Sequence, residues 1–212
     1  DWVKKELRDF NKISPVLNAS ELKEPLNADV AFIGAGLSST FTLIELIKEI
    51  SLQELLFEKR NLKIAVFEKD DWIWGGIPYG KRSSFTSLII TPLDEFLPQS
   101  ELKSFTLWMK DNFDWLIKPF NDHAGSRSKA WLMDCEDKIK NNDSNRIHIP
   151  RYFFGIYLWD KLRETLLLSN VKIDIKFINE EVISVNKLDQ KSNMKFQIGM
   201  ESFNICANQV ML

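Results

Sequence analysis

Apolar positions along the chain fall into two kinds of pattern. Short continuous runs suit strands, and stretches with an apolar residue every three or four positions suit helices. Val30-Ala31-Phe32-Ile33 is a run of the first kind, as a parallel strand covered on both faces requires. Past Gly34-Ala35-Gly36, the residues Leu43, Ile44, Ile47 and Ile50 recur at helical spacing and predict a helix over 39–50. The segment 52–60 extends that helix or opens a second short one. Leu62-Lys63-Ile64-Ala65-Val66-Phe67-Glu68 is the next run and predicts a second strand. Strand, helix, strand in this order predicts a right-handed crossover between parallel strands.

Trp72-Ile73-Trp74-Gly75-Gly76-Ile77-Pro78-Tyr79-Gly80 fits neither period, and predicts a loop whose backbone comes close to something. The plain alternative is a glycine-rich turn anchored in the core by its aromatics. Leu88-Ile89-Ile90 ends at Thr91-Pro92, and Pro92 and Pro98 bracket a loop. Ser100 is expected to N-cap the next helix, with Glu101 in its first turn. Phe105, Trp108 and Met109 share one face of it. Of the basic residues only Lys110 and Lys118 stand between these rings and Phe113, Trp115 and Phe120, with no basic run, so the rings read as core or pocket lining rather than as a base-stacking platform. A polar loop over 121–129, a helix over 130–140 and a loop over 141–145 follow. Trp159, Leu162, Leu166 and Leu167 mark a helix ended by Asn170. Alternation predicts a strand over 171–178, then strands over 180–188, 195–200 and 203–212. The fold class is α/β: a Rossmann-like domain over 28–212 with a parallel sheet, helices and an antiparallel three-stranded meander. Residues 1–27 are expected to form a leader segment outside it, with Trp2, Leu7 and Phe10 on one side of a short helix.

Composition narrows the functions. The 212 residues include 44% hydrophobic and 27% charged side chains, and the net charge is −2 without a basic block. A nucleic-acid partner held through phosphates is not expected. The 2 Cys, Cys135 and Cys206, and the 2 His, His123 and His148, lack metal-ligand spacing, so no metal site is expected. Each histidine reads as a surface or hydrogen-bonded residue rather than a catalytic base. With no disulfide framework, no membrane-length apolar run and no secretory signal, the expected compartment is the cytoplasm, without membrane attachment. The sequons Asn18-Ala19-Ser20 and Asn142-Asp143-Ser144 then read as chance matches.

The candidate chemistry sits at Gly34, Ala35, Gly36, Leu37, Ser38 and Ser39, spaced G-x-G-x-x-S. Gly34 permits a tight turn, and Gly36 lets a diphosphate approach bare backbone. The helix that follows points free N–H groups and its positive dipole end at that anion. Ser39 stands where a third glycine is usual. Glu68 ends the second strand, where a carboxylate accepts hydrogen bonds from ribose hydroxyls. Its distance along the chain from Gly36 exceeds the usual interval of about 20 residues, and the segment around 52–57 accounts for the surplus. The plain alternatives are an ordinary glycine turn and a solvated carboxylate in the run Glu68-Lys69-Asp70-Asp71. No side chain stands out as a general acid or base, and no catalytic residue is assigned.

Four stretches in order, 30–39, 64–69, Trp74-Gly75-Gly76-Ile77-Pro78-Tyr79 and Pro150-Arg151-Tyr152-Phe153-Phe154-Gly155-Ile156-Tyr157-Leu158, resemble the N-terminal part of the FAD/NAD(P)-binding flavoproteins. These are two-dinucleotide-domain oxidoreductases, distantly similar to the lysine and ornithine N-hydroxylating monooxygenases. The resemblance implies FAD, with NAD(P)H and a small-molecule substrate in the full-length protein. It places the pyrophosphate at Gly34, Gly36 and the Ser38-Ser39 turn, with Ala35 and Leu37 between them. It places the adenosine ribose at Glu68 and the adenine edge near Lys69. Trp74, Gly75 and Gly76 then run beside the ribityl chain and flavin, Tyr79 and Thr91 line the flavin pocket, and the backbone of Val182 meets the adenine. The implied chemistry is hydride transfer from NAD(P)H to flavin, then electron transfer to O₂ or another acceptor. In such flavoproteins the strand over 203–212 leads into an Ala/Gly-rich turn and a nicotinamide half. The sequence ends at Leu212, so a domain cut short at its C-terminus is expected. The alternatives are an NAD(P)-only dehydrogenase, with Glu68 on that cofactor's ribose, and a non-catalytic dinucleotide-binding scaffold.

Overall fold

A computed structural model describes residues 16–17, 26–53, 61–70, 74–80, 82–189 and 192–212. The expected leader helix around Trp2, Leu7 and Phe10, the sequon at Asn18, most of the segment 52–60 and the pair Trp72-Ile73 lie outside the described residues. The chain divides into two compact units, one of residues 1–76 and 161–212, the other of residues 77–160.

The first unit is built on a sheet of β1 (Val16–Leu17), β2 (Asn27–Ile33), β3 (Leu62–Phe67), β4 (Ile173–Ile178), β5 (Ser184–Lys187), β6 (Phe196–Gly199) and β7 (Asn204–Met211), in the order β1-β4-β3-β2-β7-β6-β5. Strands β1, β4, β3, β2 and β7 run parallel. Strands β5, β6 and β7 form the antiparallel meander expected from the sequence. The meander shares β7 with the parallel strands instead of stacking on them. In β2 the consecutive residues Val30, Ala31 and Phe32 are all buried, which explains why the strand reads as continuous rather than alternating. Helix α1 (Leu37–Leu52) buries Thr40, Leu43, Ile44, Ile47 and Ile50. The register matters for the site: Ile33 pairs with Phe67 and Phe67 pairs with Ile178. The three strand ends therefore bring Gly34, Glu68 and Asn179 side by side.

The second unit holds α2 (Gly76–Tyr79, of which Gly76 belongs to the first unit), α3 (Leu93–Phe96), α4 (Gln99–His123), α5 (Ser126–Lys140) and the opening of α6 (Arg151–Leu168). Helix α4 buries Leu102, Phe105, Thr106, Met109, Phe113, Leu116, Ile117 and Phe120, one stripe over 25 residues.

Several expectations need correction. The stretch expected as pure loop after Trp74 contains a single helical turn, α2. Pro78 fits there because a first helical turn has no N–H partner to lose. Helix α4 starts at Gln99 with Pro98 in the N-cap position, not Ser100. The loop expected over 121–129 shrinks to Ala124 and Gly125. Residues 126–129 are polar and, apart from half-buried Ser128, exposed, so they form a helical turn that carries no apolar period. The strand expected over 180–188 is only β5, and Val182 lies before it. A turn in which the Glu180 N–H donates to the Ile178 carbonyl, 3.1 Å, delays its start.

Candidate functional site

The site is built where β2, β3 and β4 end in the first unit. Gly34 closes the first strand with φ +90°, a conformation that needs glycine. Its N–H donates to the Phe67 carbonyl at 2.8 Å, tying the turn to the end of β3. Gly36 is different. As N-cap of α1 it has φ −82° and ψ −172°, which any residue adopts. A Cβ built on Gly34 or Gly36 meets no atom within 4 Å among the described residues. Packing therefore does not require glycine at 36, and the turn faces open space.

No side chain caps α1, and its first turn carries no acidic residue. Its leading N–H groups thus keep their partial positive charge for an anion. Leu37 and Ser39 are half-buried and Ser38 is exposed. Ser39 thus occupies the third-glycine position without disturbing the helix.

Glu68 is half-buried and turned toward the glycine turn. Its Oε2 accepts from the Ala35 N–H at 2.9 Å, and its Oε1 accepts from the Asp70 N–H at 3.2 Å. A carboxylate offers about four acceptor positions, so each oxygen keeps capacity for a ligand hydroxyl. Lys69, exposed beside it, pairs with Glu181 at 3.2 Å. An exposed pair of this kind contributes little to stability. Val182 packs half-buried against a core of Phe67, Ile178, Ile198 and Met200.

Trp74 reaches the turn through its backbone. Its N–H donates to the Ala35 carbonyl at 2.7 Å, and the hydroxyl of buried Thr40 donates to the Gly36 carbonyl at 2.8 Å and lies 3.4 Å from the Trp74 carbonyl. The indole is fully buried and meets Phe177 edge-on, 4.7 Å between centroids. Trp74 has φ 78°, rare for a residue with a side chain; the hydrogen bonds and the buried ring hold it there. Gly75 is buried, and Gly76, with φ 56°, opens α2. Gly34, Ala35, Gly36, Glu68, Trp74 and Gly75 thus gather around one turn.

Tyr79 and Thr91 belong to the second unit. The Tyr79 ring packs against Phe96 and Phe154, and burial raises its phenol pKa against the lowering effect of Arg151. Thr91 is exposed just before α3. His123 and His148 bond through Nδ1 to the carbonyls of Pro119 and Ile89. Thr40 and Asn179 were missed by sequence reasoning. Asn179 acts on carbonyls brought near only by the fold, and Thr40 bonds the Gly36 carbonyl within its own helix turn while the fold brings the Trp74 carbonyl beside it.

A family model described as FAD-NAD(P)-binding matches residues 31–212. The chain belongs to this family. The FAD-NAD(P)-binding chain is also 31% identical over 167 residues to uncharacterized proteins of Mycobacterium bovis and Mycobacterium tuberculosis. The match takes in 78% of this chain and 31% of theirs, so the chain spans about a third of the length of these curated relatives. Among solved structures, it is similar to a 3-ketosteroid dehydrogenase from Rhodococcus jostii RHA1, with 14% identity, TM-score 0.38 and coverage of 93% and 48%. It is also similar to DfoA, a cadaverine monooxygenase from Erwinia amylovora bound to FAD, with 12% identity, TM-score 0.30 and coverage of 95% and 36%. At these scores the likeness says nothing of activity.

The groups at this glycine turn suit FAD in chemical kind: a helix start with no side-chain cap could face a diphosphate, and the Glu68 carboxylate could accept from a ribose. Among the described residues no group of three His, Cys, Asp or Glu side chains could hold a metal ion, and no helix is long and apolar enough to cross a membrane.

Proposed function

We propose that this chain is the FAD-binding part of an NAD(P)H-dependent flavin oxidoreductase, of the monooxygenase kind, acting on a small molecule. The observation that carries the reading is Gly36, a glycine that neither its backbone angles nor its packing among the described residues requires, at a helix start with no side-chain cap among them. When bound, FAD would accept hydride from NAD(P)H and pass electrons onward.

The chain's own residues would do the holding. Gly34 and Ala35, whose N–H groups are held by Phe67 and Glu68, would shape the turn, and the backbone of Gly36 and Leu37, with Ser38 and Ser39, would take the pyrophosphate against the N-terminal dipole of α1. Glu68 would accept hydrogen bonds from the adenosine ribose, and Lys69 and the Val182 backbone would flank the adenine. Gly75 and Gly76 would let the chain follow the ribityl arm, with the Trp74 backbone fixing its start. Tyr79 and Thr91 are proposed for the flavin end. Buried Cys135 and half-buried Cys206, both free thiols, suit a reducing compartment, the cytoplasm.

The test is flavin content. The intact protein should purify yellow and release FAD on heating, and the stripped protein should recover its visible absorbance band when FAD is added back. NADPH or NADH should bleach that band. A colourless protein that cannot be reconstituted would overturn the reading.

A further inference from the structure

We infer that Asn179 is a positioning residue that sets the carboxylate of Glu68 for a ligand's ribose; the inference rests on the dinucleotide site proposed above. Strand register places Asn179 one step past Ile178, beside Glu68 one step past Phe67. The Asn179 amide uses Nδ2 twice, donating to the Glu68 carbonyl at 2.9 Å and to the Asp70 carbonyl at 2.9 Å. An amide nitrogen has two hydrogens, so both are committed to the short turn 68–70. The same turn is held from the strand side by the Glu68 N–H on the Ile178 carbonyl at 3.1 Å.

The consequence passes to the carboxylate. Fixing the Glu68 and Asp70 carbonyls holds from both sides the Lys69–Asp70 peptide between them, whose N–H donates to Glu68 Oε1 at 3.2 Å. The other oxygen is anchored on the Ala35 N–H at 2.9 Å. Asn179 therefore locks one of the two tethers that aim the carboxylate, and the glycine turn supplies the second. Without Asn179 the turn 68–70 loses its side-chain clamp and keeps the Glu68 N–H on the Ile178 carbonyl, so the Asp70 tether loosens while the Ala35 tether stands. The lost affinity should then be confined to ligand groups that Glu68 contacts. The proposed diphosphate contacts, at the start of α1, involve no hydrogen bond of Asn179 and should not feel the change.

The experiment is a titration of the intact, flavin-stripped protein with ADP and with 2′,3′-dideoxy-ADP, which has no ribose hydroxyls. Asn179→Ala should weaken ADP by roughly tenfold, the scale of one weakened hydrogen bond between the Glu68 carboxylate and a ribose hydroxyl. It should change the dideoxy ligand by less than about twofold. In a Glu68→Gln background the added effect of Asn179→Ala on ADP should nearly vanish, since residues acting through one another are non-additive. Equal losses on both ligands would show a general structural role and overturn the inference, as would unchanged ADP binding. If the wild-type protein binds neither ADP nor FAD, the dinucleotide reading itself fails and takes this inference with it. If Asn179→Ala does not fold by circular dichroism, Asn179→Ser, which keeps one donor, is put through the same two-ligand comparison with the same criteria.

Discussion

Gly34 and Gly36 are the same residue two positions apart, yet different physics keeps each one glycine. At Gly34 the backbone has φ +90°, and a side chain in that region costs about 1–2 kcal/mol. Gly34→Ala should therefore lower stability by that order, seen as a lower midpoint in a urea melt. At Gly36 neither angle nor neighbour objects to a Cβ. Gly36→Val should cost about 1 kcal/mol, since Val is a poorer N-cap residue than Gly, and leave the protein folded, while FAD binding followed by flavin fluorescence drops beyond detection. Normal FAD affinity in Gly36→Val would remove the main support for a diphosphate at this turn. The glycine pair was legible as a spacing between a strand and a helix: positive φ accounts for Gly34, and the proposed diphosphate would account for Gly36. Thr40 and Asn179 were not, because a side chain that donates to a carbonyl can come from anywhere; Asn179 and Glu68 are 111 positions apart.

At the scale of elements, α6 shows what the family's Arg, then Gly-x-Tyr-Leu stretch does in the second unit. The Arg151 Nε donates to the Leu88 carbonyl at 3.0 Å, and the Tyr157 hydroxyl donates to Glu101 Oε1 at 2.6 Å. A Cβ on Gly155 would lie 2.3 Å from the Tyr79 carbonyl oxygen. Gly155→Ala gains about 1 kcal/mol of helix propensity. It must also displace backbone that has little freedom to yield, and overpacking of that kind costs about 1–3 kcal/mol. The clash should win, so the variant should unfold at lower denaturant; a higher midpoint would mean that the Tyr79 segment gives way freely. Tyr152 offers a test in pH. Its hydroxyl donates to the Leu116 carbonyl, and burial pushes its pKa well above the usual 10.0. A group whose folded pKa is raised gives stability that is full below its unfolded pKa and is lost as pH rises above it. Thermal stability should therefore fall above about pH 10, and Tyr152→Phe should flatten that fall while costing about 1 kcal/mol at neutral pH. An unchanged alkaline slope in Tyr152→Phe would assign the fall to other groups. The helices of this unit were partly legible. The apolar stripe of α4 has a clear period, but its start after Pro98 and the polar first turn of α5 have no periodic signature, so both boundaries were misplaced.

At the scale of the molecule, β2, β3 and β4 followed from apolar runs and alternation because their burial is written into nearby residues. Strand β1 lies in the segment 1–27 expected to stand outside the domain, yet pairs with β4, and β5 is exposed along its whole length. The division into two units was not legible, since the apolar periods run on through 77–160 without a break in composition. That division makes a sharp expectation for ligand binding. The residues proposed for the diphosphate and ribose, Gly34 through Ser39 and Glu68, all lie in the first unit. ADP carries the diphosphate and ribose but no flavin, so its contacts should end there. A ligand at about 100 times its Kd adds about 2.7 kcal/mol to the state that binds it, and amide exchange reports that energy wherever opening requires the ligand to leave. Saturating ADP should therefore slow exchange at residues 34–40, 68–70 and 179–182, and leave α4 and α5 at their unliganded rates. Protection spread evenly over α4 and α5 would mean that both units open together. Protection of α4 and α5 alone would move the nucleotide away from the glycine turn and refute the assignment of this site.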